Sequence, residues 1–322
     1  MWKPGRALLK RPGPYLALLV GALCALPVLV WNAQHDWITV THLEERGGLG
    51  TPWRPTTQYL RDFVLAEAGL LNPLFVIAAV WASIAFWRRA RQSHLLIYLF
   101  SMGVPLIVLY LLYTLRARVQ PNWIAPSVLP LLCLMAVYWD LRWRAGARAV
   151  KAWLALGLVT GLPVVVVLHE TNVLGKIFGR NLPPKFDPLT RVRAYREMAR
   201  VVGEARTKLI AESKPVFVIA NHYGIASLIT FYLPEAKAGA PDDPLVYSRS
   251  SDKPENQFYF WPGYDRRRGQ NAIFVQETHT PQPLPEQIQK EFATVTDLGI
   301  HDIQYRDRVF HQIQLFECRG LR

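Results

Sequence analysis

Five stretches of this 322-residue chain stand out because they hold no Asp, Glu, Lys or Arg: residues 15–31, 68–87, 95–115, 121–139 and 152–168. An α-helix needs about 20 predominantly apolar residues to cross roughly 30 Å of hydrocarbon. The five runs have that length, and buried helices of a globular protein rarely stay free of charge so long, five times over. Interior Pro27, Pro73, Pro105, Pro130 and Pro163 do not oppose the reading, because neighbouring helices can satisfy the carbonyls a proline frees. The expected fold class is an α-helical membrane bundle of about five transmembrane helices, followed by a small soluble α/β domain. The expected boundaries are residues 1–184 for the transmembrane domain, with outer-face loops 32–67 and 116–122, and 185–322 for the α/β domain.

Charge supports the division. The formal net charge is +13. Residues 1–184 hold 18 basic and 7 acidic side chains, and residues 185–322 hold 19 and 17. The excess of positive charge therefore flanks the apolar runs rather than coating the C-terminal part, which excludes a nucleic-acid surface there and matches membrane topology. Lys3, Arg6, Lys10 and Arg11 precede the first run, Arg88, Arg89 and Arg91 follow the second, and Arg142, Arg144, Arg148 and Lys151 follow the fourth. The first and third loops lack such clusters. The positive-inside rule puts the N-terminus in the cytoplasm and the C-terminal domain outside, as in a multi-pass protein of a bacterial inner membrane. The basic start and the first apolar run resemble a signal peptide, but no A-x-A site follows, so a retained helix is expected. Three cysteines, Cys24, Cys133 and Cys318, make neither a disulfide framework nor a zinc pattern.

Beyond a Gly/Pro/Asn-rich linker, residues 191–210 read as an amphipathic helix and 215–220 as a buried strand. Residues 245–247, 272–276 and 309–317 are further strand candidates, and 241–255 and 278–285 read as loops. Asn221, His222 and Tyr223 stand at a strand end, where α/β folds bind ligands, although a histidine there also serves as a plain turn residue. Residues 257–264, QFYFWPGY, form an aromatic cluster suited either to sugar stacking or to packing.

The polar chemistry sits at two mouths of the apolar runs. WNAQHDW, residues 31–37, ends the first run, and Arg116, Arg118, Asn122 and Trp123 border the third and fourth. Indoles favour headgroup depth, and cations there can hold lipid phosphates. Both junctions are expected on the outer face, lining one site. His35 and Asp36 are acid–base candidates, with interface anchoring by Trp31 and Trp37 as the plainer alternative. His42 and Glu45 are three residues apart, and His35 lies seven before His42. On one helical face the two imidazoles could serve a divalent metal or a phosphate. Arg116 and Arg118 read equally as phosphate ligands and as snorkelling cations.

WNAQHDW, then NPLF at 72–75, then RVQPNW at 118–123, and VIANHYGIASLITFYLP at 218–234 together resemble bacterial glycosyltransferase family 39, the group of aminoarabinose transferases and protein O-mannosyltransferases with a GT-C architecture. The resemblance covers nearly the whole chain. WNAQH is fairly specific and PNW is not. Gln120 stands where the family pattern is acidic. The resemblance implies transfer of a sugar from a polyprenyl-phosphate donor to a lipid, glycan or protein acceptor, with membrane lipid and the lipid-linked sugar as partners. It carries substrate contacts onto Trp31, Asn32, His35, His42, Arg46, Arg116, Arg118, Asn122 and Trp123. The family's catalytic carboxylate belongs to an earlier outer loop, so Asp36 and Glu45 are the candidates left here, and this chain is expected to be inactive alone. It matches the C-terminal half of such an enzyme, whether truncated, split or mis-started, and a separate chain carrying the N-terminal catalytic half is an implied partner. A non-catalytic membrane subunit, or a lipid-phosphate-sugar binding protein, is the alternative.

Overall fold

The computed structural model describes residues 9–50, 52–87, 93–212, 214–240, 242–248 and 257–322. Lys3, Arg6, Arg88, Arg89, Arg91 and most of the 241–255 loop lie outside them. The chain divides into two compact units, Met1–Val165 and Val166–Arg322.

The first unit is helical. Its elements are α1 (Pro12–Gln34), α2 (Ile38–Gly47), α3 (Gln58–Leu71), α4 (Pro73–Phe86), α5 (His94–Tyr113), a 3₁₀ turn (Pro121–Ile124) running into α6 (Ala125–Arg144), and α7 (Arg148–His169). Four helices are long and apolar enough to cross a membrane: α1, α5, α7 and the 3₁₀ turn continued by α6. A fifth crossing exists if α3 and α4, bent by 105° at their junction, form one span. The apolar rows of α1 and α7 stay exposed, with Leu18 71% and Val159 70% accessible, as expected of faces that meet acyl chains rather than water. The core lies between α4, α5 and α6, where Ala78, Ala79 and Ala82 meet Met135, and Leu96, Leu99 and Phe100 meet Leu134.

Two expectations need correction. The run 68–87 is not one helix. Asn72 takes a positive φ of 66°, its Oδ1 accepts the Leu74 amide at 3.0 Å, and Pro73 opens α4. Asn as N-cap and Pro at the first helical position constitute a helix start, and a residue before proline is turned away from the α region. Residues 68–71 therefore finish α3, and α4 alone, at 14 residues, reaches only about 21 Å. The loop 32–67 is also not a loop, because α2 and α3 occupy most of it.

The second unit is α/β. It comprises α8 (Asn172–Phe178), α9 (Tyr195–Ile210), β1 (Val216–Ala220), α10 (Tyr223–Tyr232), α11 (Pro234–Gly239), β2 (Val246–Ser248), β3 (Asn271–Glu277), α12 (Glu286–Glu291), β4 (Phe292–Tyr305) and β5 (Arg308–Leu321). The sheet order is β2-β1-β3-β5-β4, with β1 parallel to β2 and β3, and β5 antiparallel to β3 and β4. On one face Met198, Val202 and Leu209 of α9 and Ile225 and Ile229 of α10 cover Val216, Val218, Ile273 and Val275. On the other, Leu284 and Ile288 cover Phe217, Ile219 and Phe274. The amphipathic helix begins at Tyr195 rather than 191, since Thr190–Val192 is a separate 3₁₀ turn. β4 has no counterpart among the expected strands. It is an edge strand, largely open to solvent, and FATVTDLGIHDIQY lacks the apolar alternation that marks a half-buried one.

One buried ion pair gives this unit a pH signature. His311 is 5% exposed, its Nδ1 donates to Glu277 Oε1 at 2.7 Å and its Nε2 to the Arg193 carbonyl at 3.0 Å. Both nitrogens donate, so the ring is an imidazolium. Burial alone would lower its pKa, but the Glu277 carboxylate and the backbone carbonyls outweigh that and raise it. The His311 hydrogen bond holds the Glu277 carboxyl below its usual range, against burial. A raised imidazole contributes stability below its ordinary pKa that is lost as pH rises through the folded value. A lowered carboxyl contributes stability above its ordinary pKa that is lost as pH falls through the folded value. The pair should stabilise most between the ordinary carboxylate and imidazole values and fade on either side. Denaturation across acid, neutral and alkaline pH should show that plateau, and His311→Phe should flatten it. An unchanged profile in His311→Phe would assign the pH dependence to other groups.

Candidate functional site

Asn32 organises the WNAQHDW turn. It lies in the last turn of α1, 4% exposed. Its Nδ2 donates to the Val28 carbonyl at 2.9 Å and its Oδ1 accepts the Thr39 amide at 3.2 Å. Its carbonyl receives the amides of His35 at 3.1 Å and Trp37 at 2.9 Å. That double closure holds Asp36 and Trp37 at φ 51° and 54°, two consecutive left-handed non-glycine residues. Each such residue costs on the order of 1–3 kcal/mol and persists only where its surroundings over-determine it. The strain turns the Asp36 side chain into solvent, where it is exposed.

His35 stacks on Trp31 with centroids 4.2 Å apart, and its Nδ1 donates to the Trp31 carbonyl at 2.7 Å. That bond puts the neutral ring's proton on Nδ1 and makes Nε2 the acceptor nitrogen. His42, Glu45 and Arg46 follow on α2, with His42 half-buried and the other two exposed. Here the expected shared helical face fails. α2 starts at Ile38, so His35 sits in the preceding turn and not seven residues back along one helix. Among the described residues no three His, Cys, Asp or Glu gather closely enough to hold a metal ion.

The segment after α2 is tied to the end of α5. Tyr113 Oη donates to the Gly47 carbonyl at 2.6 Å, and Arg116 Nη2 donates to the Leu49 carbonyl at 3.2 Å. Trp53 Nε1 and the Thr56 amide both donate to the Leu115 carbonyl at 3.2 Å. The first and third loops thus meet through Gly47, Leu49, Trp53 and Thr56 on one side and Tyr113, Leu115 and Arg116 on the other. Arg116 spends one guanidinium nitrogen on that closure, whereas Arg118 and Asn122 are exposed. Trp123 packs on Tyr110 with centroids 5.9 Å apart.

The structure also singles out a carboxylate that carries no motif. Glu67 on α3 is only 8% exposed, and its Oε1 has no hydrogen-bond partner among the described residues. Phe63, one turn earlier on the same face of α3, packs against Val119 and Ile124. A buried, under-satisfied carboxylate is costly, and within an apolar bundle such a group is a functional candidate. In the sequence it is simply the last acid before an apolar run.

No family model matches the chain, and no solved structure does. It is similar to a curated protein. Over 235 residues it is 26% identical to the lipid A galacturonosyltransferase RgtD of Rhizobium johnstonii, an alignment that covers 70% of this chain and 46% of RgtD. The chain spans about half the length of that relative.

Proposed function

We propose that this chain is part of a membrane glycosyltransferase, related to family 39, that moves a sugar from a polyprenyl-phosphate donor to a lipid, glycan or protein acceptor at the outer face of the membrane. The similarity to a lipid A galacturonosyltransferase carries the reading, and the apolar helices with their basic flanks are consistent with it. In this transfer a carboxylate takes the proton of the acceptor hydroxyl as its oxygen attacks the anomeric carbon. The bond from that carbon to the phosphate oxygen breaks, and the polyprenyl phosphate leaves with the electron pair. The step needs a base on one side and cations on the other. Asp36, Glu45 and the buried Glu67 are the carboxylates offered. Arg46, Arg116 and Arg118 are the cations, with Trp31, Asn32, His35, His42, Asn122 and Trp123 around them.

Arg118 is the cleaner probe of the phosphate contact, because Arg116 also bonds the Leu49 carbonyl. A charge-assisted contact contributes about 1.5–3 kcal/mol, so Arg118→Ala should weaken binding of a polyprenyl-phosphate sugar by roughly 10- to 100-fold, and Arg118→Lys should weaken it less. Binding is measured with the chain in lipid nanodiscs. Phosphatase fusions after His169 should be active if the second unit is exported. Unchanged affinity in Arg118→Ala would leave this residue a snorkelling cation, and a fusion active only in the cytoplasm would overturn the outer-face site.

A further inference from the structure

The second unit has its own ligand-binding geometry. β1 and β3 are adjacent and parallel, yet their outgoing connections leave on opposite faces of the sheet. α10, after β1, packs in the cluster with Val216 and Val218, whereas Ile288 of α12, after β3, packs with Phe217 and Phe274. Where neighbouring parallel strands send their helices to opposite faces, a crevice opens at the carboxyl ends, and open α/β sheets bind ligands there. The residues at this switch point are Asn221 and His222 after β1, and Glu277, Thr278 and His279 closing β3.

Polar and aromatic groups converge on it. Glu277 is 37% exposed and held from behind by buried His311. The Asn221 amide donates to the Val275 carbonyl at 3.0 Å, which brings the turn after β1 alongside the end of β3, and His279 Nδ1 is 3.1 Å from Gln312 Oε1. Asn221 Oδ1 is buried without a partner among the described residues. His222 packs on Tyr223 at 4.2 Å, Tyr223 stacks on Phe258 at 4.7 Å and 15°, and Phe258 meets Trp261 edge-on at 4.7 Å. Trp261 is 61% exposed. His222 and two residues of QFYFWPGY, Phe258 and Trp261, 36 or more residues apart in sequence, are joined through Tyr223, whereas Tyr264 is buried against Phe217 and Tyr247.

We propose that this carboxyl edge of β1 and β3 is a saccharide-binding site, where a pyranose ring stacks its C–H face on the exposed indole of Trp261 and gives its hydroxyls to Glu277, His222 and His279. An exposed indole on the same edge as a fixed carboxylate matches a ring that is apolar on its faces and hydroxylated at its rim. A metal ion does not suit the site, since no three ligating side chains gather among the described residues. The site goes beyond the transferase reading and does not need the chain to transfer sugar.

The test uses the full chain in lipid nanodiscs and the methyl glycosides of glucose, galactose and mannose, followed by saturation-transfer NMR. At least one glycoside should receive saturation. Trp261→Ala and Glu277→Gln should each weaken its binding about tenfold, while Phe231→Ala, an exposed aromatic on the far end of α10, should not. Hydrogen exchange on β1 and β3 confirms that each variant remains folded. No saturation transfer to any of the three, or equal transfer in Trp261→Ala, overturns the proposal, and so does binding that vanishes on adding a chelator. Arg118→Ala should leave this binding unchanged, which separates it from the donor site.

Discussion

Arg193→Ala is expected to destabilise the Val166–Arg322 unit by about 3–5 kcal/mol, the usual consequence of leaving a buried charge uncompensated. Asp187 is the charge concerned, with its side chain 1% exposed. Arg193 Nη1 donates to Asp187 Oδ2 at 2.9 Å and to Thr171 Oγ1 at 2.7 Å, and Nη2 donates to Glu170 Oε1 at 2.7 Å. Thr171 Oγ1 donates to Asp187 Oδ1 at 3.0 Å, and the Leu189 amide donates to the same oxygen at 2.9 Å. The guanidinium also lies over the Tyr305 ring, 5.4 Å from its centroid. Removing it abandons Asp187 among neutral donors and loosens the 170–193 segment. The double variant Arg193→Met with Asp187→Leu should recover much of the loss, because the expense of a broken buried pair is mostly the orphaned charge. Hydrogen exchange of the β1 and β3 amides in the full chain measures both. A loss below about 1 kcal/mol in the single variant, the range of an exposed pair, would mean that water reaches Asp187.

Gly157→Leu should damage the first unit next most. α7 carries Gly157 and Gly161 four residues apart, the small-xxx-small spacing that lets membrane helices approach closely. Asn72 Nδ2 donates to the Gly157 carbonyl at 2.8 Å, and Trp153 Nε1 donates to the Leu74 carbonyl at 2.9 Å. A Cβ at Gly157 would lie 2.5 Å from Phe75 Cε1, and Phe75 is itself backed by Trp139 at 5.9 Å. The ring has little room to retreat, so the helices must part. Overpacking costs about 1–3 kcal/mol, and separation also breaks the Asn72 bond, roughly 0.6–1.7 kcal/mol between membrane helices. Gly161→Ala should be milder, since its methyl meets only Asn72 Nδ2, 2.7 Å away, and displacing that amide costs its bond to Gly157 without parting the helices. Unfolding in bicelles with increasing detergent reads the order Gly157→Leu, Gly161→Ala, wild type from least to most stable. Equal stability of Gly157→Leu and wild type would show that α7 does not dock on α4 through this face.

Much of the architecture is written in the apolar spacing of the sequence. Runs without charge over 17 residues or more announce helices on their own, because only a continuous apolar helix hides its backbone in hydrocarbon. α1, α5, α6 and α7 all begin and end near the limits of such runs. VFVIA reads as a buried strand since every one of its residues is apolar, and all five are buried. The amphipathic spacing of Met198, Val202 and Leu209 likewise marks the buried face of α9. In each case the signal is local, and hydrophobic period suffices to read it.

Interactions distant in sequence decided the rest. Asn72-Pro73 is a local helix-start signature, but membrane helices also tolerate an interior proline, so 68–87 taken alone fits both readings. The break at Asn72 is held by its bond to Gly157, 85 residues away. β4 is a strand because β5 offers it a ladder, not because its own side chains alternate. Glu67 is an ordinary acid in the sequence, and only the tertiary packing of α3 buries it. His35 lost its expected partnership with His42 because Asn32 captures two amides and turns the chain before α2 starts. The meeting of Tyr223 with Phe258, and of Glu277 with His311, follows from strand order, which no local pattern encodes. Periodicity along the chain determined which segments are apolar helices and buried strands, since burying an apolar face depends only on the spacing of residues within it. Tertiary structure determined where polar groups meet, since each hydrogen bond and ion pair depends on the position of a partner many residues away.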